Sequence, residues 1–147
     1  MGKLRMAQAV FEAIRAHGEE TYPNECCGVL LGQSKPDWRS VEDSVRAENI
    51  RTDSAHNRYG ISPVELIRIE RAARRQGRDI VGFYHSHPDH PTQWSATDFA
   101  EAHWIGCSYV ITEVAKGMAA ETNSFLLAGI SEEDKRFDQE TIELSDR

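Results

Sequence analysis

The stretch Asp79-Ile80-Val81-Gly82-Phe83-Tyr84-His85-Ser86-His87-Pro88-Asp89-His90-Pro91-Thr92-Gln93-Trp94-Ser95-Ala96-Thr97-Asp98 runs from an apolar segment through a proline-bounded loop into a helix start. Residues 79–87 predict the best strand in the chain. Pro88 and Pro91 stiffen the loop. Ser95 is a suitable N-cap for a helix reaching to about residue 105. His85 and His87 lie two apart, and alternate strand residues share a face, so both imidazoles can reach one ion. They fall at the C-terminal end of the strand, where open α/β sheets carry their sites. Asp98, in the first turn of the next helix, can add a carboxylate oxygen. Ser95-x-x-Asp98 is equally an ordinary helix cap that needs no metal. The two roles are compatible, since Ser95 can start the helix while Asp98 faces the histidines.

Upstream, Leu4, Ala7, Val10, Phe11 and Ile14 recur at helical spacing and predict a helix over residues 3–17, ending near Gly18. Residues 26–32 form a short apolar run bounded by turn signals and read as a buried strand. Residues 33–37 read as a turn, and residues 38–50 as a second, more exposed strand. Ser62-Pro63-Val64-Glu65 predicts a helix with Ser62 as N-cap and Glu65 closing a capping box, running to about Gln76 with Gly77 as its stop. Downstream, residues 108–114 and 124–128 read as strands, with a further strand near 118–121. Residues 132–147 are a polar tail that Phe137, Ile142 and Leu144 can dock. This order gives a mixed α/β fold, a sheet with helices against its faces, with 1–147 as a single domain and no linker.

The chain has 147 residues, enough for one real core. Its 39% hydrophobic and 28% charged content marks it as globular. No apolar run approaches the roughly 18–20 residues that span a bilayer. The N-terminus leads into an amphipathic stretch rather than a leader core, so a cytoplasmic location is expected. A net charge of −7 argues against nucleic acid as a partner, because that affinity is mostly phosphate neutralisation. Arg68, Arg71, Arg74, Arg75 and Arg78 are interleaved with Glu65 and Glu70 and read as a solvated helix surface. Cys26, Cys27 and Cys107 are odd in number and lack zinc spacing, so they read as buried apolar residues.

His85, His87 and Asp98 are three ligands that leave a fourth position open, the arrangement of a catalytic rather than a structural zinc. The same donor set also suits iron. Zinc is preferred because an acid suited to hydrolysis, Glu25, stands just before the first buried strand. Such a carboxylate can take the proton of a metal-activated water and return it to the leaving nitrogen. Ser95 would place its hydroxyl at the oxyanion. A base over an open site is expected to matter little to fold stability. His90 in the loop and His103 in the helix are expected to lie outside the ligand set.

Glu25, then His85-Ser86-His87-Pro88, then seven residues from His87 to Ser95, then Asp98, resembles the full signature of the JAMM, or MPN-plus, metallopeptidases, with no element substituted. Asn24-Glu25-Cys26-Cys27-Gly28-Val29-Leu30-Leu31-Gly32 is similar to the family's glutamate-bearing strand, and the resemblance covers roughly residues 5–130. It implies a cytidine-deaminase-like sheet sandwiched by helices. It also implies zinc on His85, His87 and Asp98, acid/base work by Glu25, and Ser95 at the oxyanion. Scaffold members of the family have lost ligands; this chain has lost none.

The short interval over residues 49–61 and the compact segment after Asp98 are similar to bacterial-type members, which implies a ubiquitin-like sulfur-carrier protein, cut at its glycine-ended C-terminal tail, as substrate and partner. Residues 49–61 are expected to border the groove, with Arg51 and Arg58 as candidates to meet a terminal carboxylate. A module that binds such a tail without cutting it is the alternative. A deaminase is a distant third, because the histidine strand reads His85-Ser86-His87 instead of H-x-E and the sequence has no P-C-x-x-C. The oligomeric state is left open.

Overall fold

Two periodicities meet at the N-terminus. Leu4 and Met6, two apart, are fully buried, and Val10 and Ile14, four apart, are buried as well. The chain accordingly forms strand β1 (Lys3–Ala7) and then helix α1 (Gln8–Thr21). The expected single helix from residue 3 is corrected: its first turn is a strand, whose hydrophobics merge with the helical series. Gly18 does not stop α1 either. A Cβ there would sit 3.0 Å from Val114 and 3.3 Å from Ser86, so the glycine serves close packing of the helix on the sheet. The computed structural model describes residues 2–51 and 59–146.

Beyond α1 come β2 (Cys27–Lys35), β3 (Trp38–Ala47), α2 (Pro63–Arg75), β4 (Asp79–Pro88), α3 (Ala96–Glu101), β5 (Ser108–Ala115), β6 (Met118–Ala128) and β7 (Arg136–Ser145). The mixed sheet closes in the order β1-β3-β2-β4-β5-β6-β7. β4 is antiparallel to β2 and parallel to β5. Successive residues of these strands serve two cores. Leu30, Val81, Tyr84 and Val110 pack with Val10 and Ile14 of α1. Val29, Leu31, Ile80 and Phe83 pack on the opposite face with Ile69 and Ala73 of α2. Helices therefore cover both faces, as expected, and β4 is buried along almost its whole length. Among the described residues no helix is long and apolar enough to cross a membrane.

Three further expectations are corrected. β6 is one continuous strand where two were read. The Ser62 side chain makes no capping bond, and Glu65 instead accepts from the backbone N–H of Glu48 at 3.4 Å. The polar tail is a strand that closes the sheet: β7 pairs antiparallel with β6 and parallel with β1. Its alternation was hidden because Glu140, 4% exposed, takes an inward position that an apolar residue usually fills. Glu140 accepts from the Arg39 guanidinium and from the hydroxyls of Ser108 at 2.5 Å and Ser124 at 2.8 Å. The network joins β3, β5, β6 and β7. Glu140→Ala strands the nearly buried Arg39 charge, and the expected loss is about 3–5 kcal/mol of unfolding free energy, read as a lowered urea midpoint.

Candidate metal and hydrolytic site

His85 and His87 leave the C-terminal end of β4 on the same face as Phe83. Their Nε2 atoms lie 3.2 Å apart. Asp98 closes the group: Oδ1 is 3.3 Å from His85 Nε2 and Oδ2 is 3.0 Å from His87 Nε2. Ligand atoms of a tetrahedral ion bound at about 2.0–2.1 Å stand roughly 3.3 Å apart, so the donor set fits one ion. The outer nitrogen of His87 supports this. Its Nδ1–H donates to the Pro91 carbonyl at 2.7 Å, leaving Nε2 as a lone-pair donor. Two imidazole Nε2 atoms and a carboxylate thus converge on one point, the donor set of a single divalent ion. Among the described residues no other His, Cys, Asp or Glu joins the cluster.

The protonation pattern is set by burial and by these neighbours. Burial depresses the pKa of His85 and outweighs the attraction of Asp98. Burial acts the same way on His87, but its bonds to Asp98 and Pro91 prevail and its pKa is raised. Asp98 resists the upward push of burial because the two histidines hold it well below the usual carboxylate range. All three are therefore set up with one carboxylate and at least one neutral imidazole.

Asp98 also caps its helix. Ser95 Oγ accepts from the Asp98 N–H at 3.0 Å, and Asp98 Oδ2 accepts from the Ser95 N–H at 2.9 Å. The cap and the cluster thus coexist in one carboxylate. Since Ser95 Oγ acts as acceptor in the cap, its O–H remains available to donate. α3 stops at Glu101, short of the expected residue 105, because Lys135 Nζ takes the carbonyls of Phe99 at 3.0 Å and Ala102 at 2.8 Å.

Glu25 stands in the loop before β2 and is 4% exposed. It shares a cleft of about 510 Å³ with His87, His90, Trp94, Ser95 and Thr97. Its Oε1 is buried without a hydrogen-bond partner among the described residues. Burial raises its pKa to about 8, His87 pulls it down, and Asp98 and Glu101 push it further up. A buried carboxyl with an unbonded oxygen costs the fold energy, which sets it against the expectation that a base over an open site matters little to stability. His90 lines the rim of the cleft, and exposed His103 bonds Glu132. Arg51 reaches Glu101 at 3.1 Å, an intramolecular carboxylate, while Arg58 lies outside the described residues.

The model of the prokaryotic homologs of the JAB domain matches residues 7–127. The chain belongs to this family. Among curated relatives of this JAB-domain chain, a protein named desampylase from Haloferax volcanii is 36% identical over 113 residues, 74% of this chain and 79% of the relative. A probable TtuB-protein conjugate cleaving protease of Thermus thermophilus is 31% identical over 69% of this chain and 64% of the relative. A solution structure of a Desulfitobacterium hafniense protein matches with a TM-score of 0.82 at 28% identity, covering 98% of this chain and 94% of that one.

Two residues of the 49–61 interval that is expected to border the groove meet the site in ways that the sequence of this JAB-domain chain does not single out. The Tyr59 ring stacks on His85 with centroids 4.4 Å apart and planes 22° from parallel. Asn49 bridges two loops: its Nδ2 donates to the Glu25 carbonyl at 3.2 Å and its Oδ1 accepts from the Gly60 N–H at 3.1 Å. Only a metal ligand with a neighbour 26 residues upstream, known from the fold, could have drawn attention to Tyr59.

Proposed function

We propose that the chain is a zinc-dependent peptidase or isopeptidase that hydrolyses an amide bond at the C-terminal tail of a ubiquitin-like sulfur-carrier protein. The observation that carries this reading is one cleft lined by His87 of the three-donor cluster, by Glu25 and by Ser95. His85, His87 and Asp98 would hold the ion. Zinc bound there supplies Lewis-acid activation of water and of the amide carbonyl. Glu25 takes the proton of the attacking water on its carboxylate and delivers it to the departing nitrogen. Burial raises the carboxyl's affinity for the proton it must return, and a dication held beside it would favour the carboxylate that the first step needs. Ser95 donates its hydroxyl hydrogen to the oxygen on which charge develops, and the cap bond to Asp98 fixes where that hydroxyl sits.

The substrate class rests on the company the chain keeps: relatives named for removing or cleaving protein conjugates. A glycine-ended tail suits a narrow approach to the ion, because glycine lets the backbone come close. Incubating the zinc-loaded protein with a ubiquitin-like carrier extended through its terminal glycine, either by cysteine or by a lysine side-chain conjugate, tests the reading. Cleavage at the glycine is expected, abolished by a chelator and restored by zinc. A conjugate that co-elutes intact with the zinc-loaded protein would instead make the chain a tail-binding module.

A further inference from the structure

A metal-bound histidine is usually fixed in rotation by the hydrogen bond of its outer nitrogen. His87 follows this rule through Pro91. His85 does not: its Nδ1 is buried and has no hydrogen-bond partner among the described residues. Its neighbours across the sheet are Cys27 on β2 and Ile111 on β5, both buried, and neither offers a carboxylate or carbonyl from its side chain. What lies against the ring is Tyr59, parallel and at stacking distance. Parallel rings in contact resist rotation of either about its Cβ–Cγ bond, and such contacts contribute beyond the area they bury.

The stack is itself tied to the site. Gly60, next to Tyr59, donates its N–H to Asn49 Oδ1 and accepts from the Ile50 N–H at 2.9 Å. The same Asn49 side chain donates to the backbone carbonyl of Glu25. One carboxamide therefore sets the loop bearing Tyr59 against the loop bearing the carboxyl that faces the cleft.

We infer that Tyr59 is a positioning residue for His85, replacing by ring stacking the hydrogen bond that this histidine lacks, so that Nε2 is presented to the ion in one orientation. The inference rests on the metal reading above. The role needs the flat ring and not the hydroxyl. It separates Tyr59 from a simple packing residue, for which any apolar side chain of similar volume would serve.

The test is the zinc affinity of the full chain, measured by competition with a chromophoric chelator, together with the visible spectrum of the cobalt-substituted protein. Tyr59→Phe is expected to bind zinc within about twofold of wild type and to keep the cobalt spectrum. Tyr59→Leu is expected to bind zinc roughly 10- to 100-fold more weakly, the usual loss when a histidine loses its outer support, with an altered cobalt spectrum. Should Tyr59→Leu not fold, Tyr59→Met, unbranched and more adaptable, is held to the same expectation. Zinc affinity equal to wild type in the folded Leu or Met variant overturns the role of Tyr59 and leaves the metal site standing. A wild-type protein that binds no zinc overturns both.

Discussion

Asp98→Asn is expected to strip the protein of zinc while leaving α3 capped. The carboxylate now does two things: its Oδ2 accepts from the Ser95 N–H at 2.9 Å, and its two oxygens face the Nε2 atoms of His85 and His87. An asparagine oxygen can still accept from Ser95, so the helix start survives. The negative charge that neutralises part of a divalent ion does not. Zinc affinity should drop more than about 100-fold, beyond what loss of an outer-shell partner costs, and hydrolysis should fall with it. Thermal unfolding of the metal-free protein should change little by comparison. Elemental analysis with a turnover assay decides the matter: unchanged zinc and unchanged turnover would reduce Asp98 to a helix cap.

The same double use explains why this part of the site was legible in the sequence. His85 and His87 are two apart in a run apolar enough to be a strand, and Asp98 follows a helix-starting serine at cap spacing. Local rules alone bring these residues to one place. Glu25 is 60 residues from His85; its place just before the first buried strand suggests an acid for hydrolysis, and the resemblance of the flanking strand strengthens that reading. For Tyr59 and Asn49 the sequence offers only the broad expectation that residues 49–61 border the groove. Tyr59 acts by a ring contact and Asn49 by bridging two backbone segments, and both depend on where β3 delivers the chain relative to β4. The fold was misread where local pattern and tertiary setting disagree. Leu4 fits the helical series of α1 but pairs in β1, where its partners are Arg39 on β3 and Ile142 on β7. Residues 136–145 look like a solvated tail because their inward positions include Glu140, whose charge is met by Arg39 rather than by a hydrophobic neighbour. A buried ion pair cannot be seen from one of its members.

Glu25→Gln is expected to separate chemistry from metal binding. Glutamine keeps the shape and removes the group that accepts and returns the proton. Zinc content should stay near the wild-type level, since the donor set lies in His85, His87 and Asp98. Hydrolysis should fall by roughly two to four orders of magnitude, the usual worth of a general acid–base. Joint loss of zinc and activity would make Glu25 a ligand. A second readout follows from its burial. In the metal-free fold its pKa is raised from 4.5 to about 8, chiefly by desolvation. Between those values the folded protein holds a proton that the unfolded chain has released, so the contribution of Glu25 to stability declines as pH rises through this window. Below it the carboxyl is neutral in both states and costs little. Glutamine does not titrate. Metal-free Glu25→Gln should therefore match wild type near pH 4 and exceed it at pH 9, by an amount of the order of a few kcal/mol. Urea denaturation of both metal-free proteins across that range measures the gap. A gap that is constant with pH would mean that Glu25 is not held in a desolvated state, and the carboxyl would then lack the proton affinity that its acid step requires.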